Sequence, residues 1–203
     1  MVACFEFENS IVETIGIVPA TESIGTPIYE AGQSGQALVL AANRYVRNDG
    51  HETFEKDTST GEIWIKVAAL PSSGRTTLLD LQSRFGIFLV ADGVRCNGQY
   101  GEVTAGTITP NEWMHVACRH SPVNGEELFI NGEQIACTND QSGSGAATPQ
   151  PFFIGANSPG GGDELTGSVD TVRFFGRALT DLELCTAAGR ENCAPPAEEC
   201  DNS

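Results

Sequence analysis

The sequence predicts an all-β domain: a sandwich or jelly roll of two antiparallel sheets, with one short helix near its C-terminal end. Three observations predict it. Short apolar-alternating runs recur along the chain with turn signals at roughly eight- to twelve-residue spacing, the pattern of many short strands. Asp92-Gly93, Asn124-Gly125 and Asn131-Gly132 interrupt such runs. Asn-Gly or Asp-Gly between alternating hydrophobics marks a hairpin, because both central residues of a type I′ turn need positive φ. Finally, there is neither a strand–helix–strand rhythm nor an internal repeat, which argues against parallel α/β folds, propellers and solenoids.

Taken in order, VACFEFE (2–8) sets Ala3, Phe5 and Phe7 against Val2, Cys4 and Glu6, a half-buried strand with both phenylalanines inward. Residues 9–35 carry Gly16, Pro19, Gly25, Pro27, Gly32 and Gly35 and read as loop, with one short strand around Ile15–Val18. Strands follow at 37–41 and 44–46, then a polar connection over 47–61. EIWIKVAAL (62–70) is strongly β and Pro71 ends it. Further strands span 76–81, 85–91, 94–97 and 102–108.

The organising stretch is Trp113–Cys137, three alternating runs that form an antiparallel meander. A Gly/Ser/Pro loop (138–151), a strand at 152–154, a glycine-rich loop at 159–163 and a closing strand at 167–175 complete the sheets. Thr180 and Glu183 have capping-box spacing for a helix over roughly 181–188. The domain is therefore expected over 1–188, with 189–203 as a tail or linker.

Eleven basic residues face 27 acidic ones, a formal charge of −16. Such a surface argues against nucleic acid and anionic lipid, whose binding rests on Lys/Arg clusters. It suits cations or neutral sugars, and also simple solubility. No apolar run approaches the roughly 20 residues of a membrane helix, so no membrane insertion is expected. The seven cysteines contain no C-x-x-C pair, which favours disulfides over zinc and an extracellular setting. An odd count leaves one thiol free or available to a partner. Met1 runs straight into VACFEFE without a leader pattern, so the chain is expected to be a mature or excised ectodomain.

The order of segments resembles a known family. GEIWIKVAALPSSG, NEWMHVACRH, ELFINGEQI, FFIGANS and LTGSVDTVRFFGRALTDLEL follow one another as in the concanavalin A-like lectin/glucanase superfamily. Within it, the chain is similar to the laminin G-like jelly rolls of secreted and cell-surface proteins, with pentraxins as near relatives. The resemblance covers about residues 2–188. It implies two sheets packed face to face, adjacent first and last strands, and ligands on loops or on a sheet face. Fold does not fix function, since lectins, adhesive modules and hydrolases share this one.

Hydrolysis is disfavoured. Laminarinase-type relatives place their acids as Glu-x-Asp-x-Glu on one strand, and that spacing is absent; Glu6-Phe7-Glu8 supplies two acids only, in an edge strand. Cys118 and His120 share a strand face, with His115 on the other. A catalytic thiol needs a base held by a third group, and Cys118 is better read as half a disulfide. The family's closing-strand aspartate helps hold a structural calcium in laminarinase-like relatives. The resemblance therefore offers Asp170, with Glu8 from the first strand and Asn43 or Asp163 from neighbouring loops, as a Ca²⁺ set. The competing reading is an Asp170 that only bonds backbone at a strand end.

Sugar binding needs aromatic platforms beside amides. Trp64 and Trp113 fall on family core strands, so Tyr100 and Tyr45 are the expected exposed rings, with Asn97, Gln99 and Asn157 as hydrogen-bonding partners. Among the cysteines, a two-residue turn at Asn124-Gly125 sets Cys118 and Cys137 at opposite ends of the meander, too far apart to bond; a wider 121–125 connection weakens that exclusion. Cys96–Cys118 is the preferred pair and Cys185–Cys193 would staple the helix to its tail, leaving Cys4, Cys137 and Cys200 unassigned.

The sequence thus points to a non-catalytic extracellular recognition or adhesion module whose partner is a glycan or an extracellular protein. Its expected binding rim comprises residues 92–101, 138–151 and 156–164. A glycoside hydrolase of the same fold and a structural domain of a larger surface or coat protein are the alternatives. Nothing in the sequence sets the oligomeric state.

Overall fold

The structure, a computed structural model, describes residues 1–16, 21–82, 84–141, 143, 150–157 and 161–193. Fifteen strands run as β1 (Ala3–Phe5), β2 (Thr21–Ile24), β3 (Tyr29–Ala31), β4 (Gln36–Leu40), β5 (Tyr45–Asn48), β6 (Ser59–Lys66), β7 (Arg75–Leu81), β8 (Phe85–Val90), β9 (Gly93–Gly98), β10 (Gly101–Ala105), β11 (Met114–Ser121), β12 (Gly125–Ile130), β13 (Glu133–Thr138), β14 (Phe152–Ile154) and β15 (Gly167–Phe175). One helix, α1 (Asp181–Ala187), follows. Its capping box is present: Thr180 Oγ1 accepts from the Glu183 N–H while the Glu183 carboxylate accepts from the Thr180 N–H. Among the described residues no helix is long and apolar enough to cross a membrane.

The strands form two antiparallel sheets. Sheet A has the order β13-β12-β11-β6-β15-β4-β3, with β1 also pairing β15. Sheet B has the order β10-β9-β8-β7-β14-β5-β2. Inner-facing residues of both, among them Ile63, Ile65, Val116, Leu128, Ile87, Leu89, Phe152 and Ile154, make one core. First and last strands do pair: Ala3, Cys4 and Phe5 lie opposite Phe174, Arg173 and Val172. Phe5 and Phe7 are both buried in that core.

Several local expectations are corrected. β1 stops at Phe5, and Phe7 has φ 55°, so Glu6 and Glu8 lie outside a strand. The Gly/Pro-rich stretch before residue 35 holds two strands, β2 and β3, while Ile15 and Gly16 form a bend and residues 17–20 lie outside those described. The 47–61 connection contains a 3-10 turn (Glu52–Phe54) that drives Phe54 into the core against Phe152 and Phe174. Trp64 and Trp113 are half-buried outside the core rather than within it, Trp64 against His115 and Trp113 beneath Lys66.

The first meander turn is wider than two residues. Ser121 pairs with Gly125 and Cys118 with Leu128, and across the next pair Leu128 meets Ala136 and Glu127 meets Cys137. Cys118 and Cys137 therefore sit at nearly the same height, not at opposite ends. What keeps them apart is β12 between them: two strand spacings are about 9.5 Å, beyond disulfide reach.

Cys118 instead bonds Cys96, with Cα atoms 5.7 Å apart. Because β9 belongs to sheet B and β11 to sheet A, this bond staples the two sheets through the core. Cys185 bonds Cys193, and Cys137 is also disulfide-bonded; Cys200 lies outside the described residues. Cys4 is free and buried, and burial raises its thiol pKa, which keeps it unreactive.

Near Cys118 the interior is polar. His120 Nε2 lies 3.1 Å from Ser59 Oγ, and its Nδ1 is 3.8 Å from Glu126 Oε1. Glu126 is fully buried and accepts the Tyr100 N–H at 3.2 Å. Burial pushes the Glu126 carboxyl up to about 8 and the His120 imidazole down to about 4. Both groups are thus neutral near pH 7, the form a low-dielectric interior tolerates. A raised acid contributes stability that is complete below its unfolded value, near 4.5, and lost as pH rises through about 8. The lowered His120 contributes above 6.5, and loses that as pH falls through about 4. Glu126→Gln should therefore melt with its parent below pH 4.5 and gain at least about 1 kcal/mol over it by pH 8. Melting curves across that range check this; a pH-independent difference refutes it.

Candidate functional site

The two outer faces differ. The outer face of sheet A is closed where α1 lies on it: Ala117 and Phe129 pack against Leu179 and Leu184. Arg119 locks this packing, with Nε and Nη2 on the Glu127 carboxylate at 2.7 and 2.6 Å and Nη1 on Leu179 O and Asp181. The outer face of sheet B carries no helix among the described residues.

Strand alternation builds that open face. Val46, Ile87, Leu89, Val94, Cys96 and Phe152 point into the core, so the residues between them point out. Cross-strand register then aligns Glu102, Asn97, Gly86, Asp80, Phe153, Arg47 and Glu22 in one row across all seven strands. A second row runs Thr104, Arg95, Phe88 and Thr77.

The floor of the face is aromatic and its upper layer polar. The Phe88 ring lies over Gly86, where a Cβ would come within 2.3 Å of it. The Arg75 guanidinium covers that ring at 4.5 Å and its Nε bonds Asp163 at 2.7 Å. Tyr45 stacks on Phe153 with centroids 5.7 Å apart. Arg95 donates to Thr104 and pairs with Glu102, which accepts from Asn97 Nδ2 at 2.9 Å. At one end the face opens into a cleft of about 440 Å³ lined by Gly74, Arg75, Val90, Ala91, Asp92, Arg95 and Asp163. Phe88 and Phe153 are buried under this layer, so the surface itself offers the Tyr45 ring with guanidinium, amide and carboxylate groups, a set that suits a polyhydroxylated ligand.

Four of the residues singled out from sequence border this face: Tyr45, Asn97, Asp163 and Asn157, whose backbone closes the loop back on Gly161 and Gly162. That loop reaches Tyr45, whose hydroxyl would meet a Cβ at Gly161. Tyr100 does not join them. It is 6% exposed, packs edge-on against His120 and has its phenol pKa raised by burial, and Gln99 donates to its hydroxyl. The 92–101 segment is a hairpin, not a connection, and it turns Tyr100 inward.

The four residues offered for calcium split into two pairs. Asp170 is buried and accepts the Ser34 N–H at 2.9 Å, and Glu8 accepts the Gln36 N–H at 3.1 Å, so both carboxylates meet the turn before β4. Asn43 follows β4, where its N–H is held by Glu164, and Asp163 pairs with Arg75. They belong to the opposite end of a five-residue strand, roughly 16 Å away. Among the described residues no cluster of three or more His, Cys, Asp or Glu is placed to hold a metal.

A family model for the concanavalin A-like lectin/glucanase superfamily, of laminin G type, matches residues 40–185. The chain belongs to this superfamily. No curated protein matches it. Among solved structures, domain 4 of AbnA, a GH43 extracellular arabinanase from Geobacillus stearothermophilus in complex with arabinotriose, superposes with a TM-score of 0.74. It is 19% identical, over 92% of this chain and 97% of that one. The binding domain of Paraclostridial Mosquitocidal Protein 1 gives 0.72 at 16% identity, over 92% and 51%. The binding domain of botulinum neurotoxin DC in complex with rat synaptotagmin II gives 0.71 at 13% identity, over 93% and 51%. The chain thus spans about half the length of the two toxin binding domains. At these identities the likeness is one of fold.

Gly86→Ala tests the face directly. Its methyl group collides with the Phe88 ring, so the ring must swing away from Arg75. The expected cost is about 1–3 kcal/mol, read as a lowered melting temperature.

Proposed function

We propose that this chain is a non-catalytic extracellular recognition module that binds a glycan across the outer face of sheet B. The observation that carries the reading is the accessible set of Glu102, Asn97, Arg95, Arg47 and Tyr45 aligned by cross-strand register over the buried rings of Phe88 and Phe153. The arabinotriose complex of the arabinanase domain and the ganglioside-dependent entry of botulinum neurotoxin type C, which has the same fold at 15% identity, support a glycan. The synaptotagmin complex supports the second reading, a protein partner. Intramolecular disulfides and the acidic surface support an extracellular setting. Against hydrolysis, Asp80 and Glu102 are three strand spacings apart, about 14 Å, wider than the roughly 5–9.5 Å between glycosidase carboxyls.

Glycan-array screening followed by calorimetry, with arabinotriose included, tests the proposal. Tyr45→Ala and Arg95→Ala should each weaken the best glycan at least about tenfold, or ~1.4 kcal/mol. An array without hits sinks the glycan reading and leaves the protein partner. Reducing-sugar release from that glycan would overturn the non-catalytic assignment.

We also propose one structural calcium at Glu8 and Asp170. The two carboxylates meet the Gly32–Gly35 turn, where a Cβ on Gly32 or Gly35 would strike them, and backbone carbonyls with carboxylates are the donor set calcium prefers. With only two acids there, the remaining ligands would be carbonyls and water; the ion would tie β1, β4 and β15 together. Calcium at a hundred times its dissociation constant should add about 2.7 kcal/mol over EDTA. Asp170→Asn should abolish that gain, and an unchanged melting temperature removes the calcium.

A further inference from the structure

On the outer face of sheet A, beside α1, lies a recess of about 570 Å³ that is remote from the glycan face. Its floor is Glu62 and Arg173, directly opposite each other on β6 and β15. Phe175, Leu179 and Leu182 supply apolar wall. We propose that this recess binds a small amphipathic carboxylate, its carboxylate on the outer edge of Arg173 and its apolar body among Phe175, Leu179 and Leu182.

Three observations point to a ligand. The floor is the least satisfied polar region among the described residues. Of eleven buried side-chain atoms without a hydrogen bond, five belong to Glu62, Arg173 and the neighbouring His115. These groups do meet at ion-pair distance, His115 Nε2 lying 3.3 Å from Glu62 Oε2 and Arg173 Nε against Glu62 Oε1. Their approach is not aligned as hydrogen bonding requires. Clustered imperfect satisfaction of this kind is unusual in native interiors.

The second observation is which charge is accessible. Glu62 is 1% exposed and faces Arg173 and His115, so no cation reaches it. The Arg173 side chain is 27% exposed. Its Nε edge meets Glu62, and among the described residues its terminal nitrogens have no acceptor. A guanidinium fork with one edge held by a buried carboxylate presents its other edge, ready-oriented, to a second carboxylate. The other charge on the wall, Glu183, is already held by Arg177 at 2.5 and 2.9 Å and by the helix cap.

The third is the wall itself. Leu182 is 64% exposed beside a floor whose carboxylate, Glu62, is buried. An apolar mouth over a single oriented cation selects a molecule with an acid at one end and an aromatic or branched body at the other. The volume falls within the range of small-molecule sites.

Benzoate is a direct probe, with benzamide as its neutral isostere. Titrating the full chain while recording ¹H–¹⁵N spectra should give saturating shifts confined to α1 and residues 173–175, with benzamide at least about tenfold weaker. Leu182→Trp fills the mouth without touching the buried charges and should abolish the shifts. Arg173→Gln alone would strand Glu62, so the neutral pair E62Q/R173Q replaces it and should likewise lose benzoate while keeping a folded spectrum. Equal binding of benzamide, survival of binding in Leu182→Trp, or no saturating shift up to the solubility limit would overturn the proposal. None of these outcomes depends on the glycan face.

Discussion

The pairing of β15 holds this structure together. One edge of the strand follows β6 along most of its length. The other edge pairs β4 at Gly167–Val169 and then β1 at Val172–Phe174. A strand changes partners only where its own ladder is interrupted, and a bulge between Asp170 and Arg173, with Thr171 at φ 41°, provides the break. Positive φ on a β-branched residue is costly, so the surroundings must hold it. Asp170 does so from the bulge itself, accepting from Thr171 Oγ1 and from the Ser34 N–H. Glu8, three residues beyond β1, secures the same turn. Gly32 and Gly35 are required there because a Cβ on either would strike those carboxylates. The bulge also aims Arg173 at Glu62, so the closing strand positions both the carboxylate pair and the recess.

Arg119 keeps the outer face of sheet A covered by α1. Its guanidinium is buried between Glu127 and Asp181 and stacks over Phe129. Removing one partner of a buried ion pair typically costs about 3–5 kcal/mol, so α1 is not a lid that lifts to admit sugar. The ion pairs Arg75–Asp163, Arg95–Glu102 and Arg47–Asp49 on sheet B are far more exposed. Its covering side chains are held by exposed pairs such as Arg75–Asp163, of a kind worth about 0–1 kcal/mol. Side chains that move this cheaply can exchange one another's hydrogen bonds for those of a glycan. The difference in clamp strength, more than any single residue, supports the proposal of sheet B as the receptive face.

Much of the fold was legible because the signals were local. The Asn131-Gly132 hairpin and the capping box follow from short-range spacing; the hairpin expected at Asp92-Gly93 is present with its two-residue turn one position earlier, at Ala91-Asp92, and the Cys96–Cys118 pair joins strands of opposite sheets. The failures were non-local. β2 and β3 are short edge strands whose pairing with β5 and β4 outweighs a Gly/Pro-rich composition. Asn124-Gly125 closes a wider turn because Pro122 and Val123 join it, which shifts the register and brings Cys137 level with Cys118. At the site, Tyr45 and Asn97 were readable as polar-edge residues. Phe88 was not: FGIFLV is apolar throughout, so alternation within it carries no inside–outside label. Tyr100 looked exposed in NGQYGE because hydrophilic neighbours mask one inward side chain, and only the packing against His120 shows its direction.

The proposed glycan face and the proposed carboxylate recess lie on opposite outer surfaces, with both sheets and the core between them. Sheets alone pack about 10 Å apart, and the two sites share no side-chain partner. Sites so separated couple weakly unless one element with two stable arrangements reaches both. The elements lining the recess are β6, β15 and α1; those forming the glycan face are β2, β5, β7, β8, β9, β10 and β14. No strand is common to the two sets. The covalent link between the sheets at Cys96–Cys118 is buried in the core beside the neutral His120–Glu126 pair. The two proposed sites would therefore act as independent surfaces on one rigid core, the arrangement expected of a module that holds partners rather than transmits a signal between them.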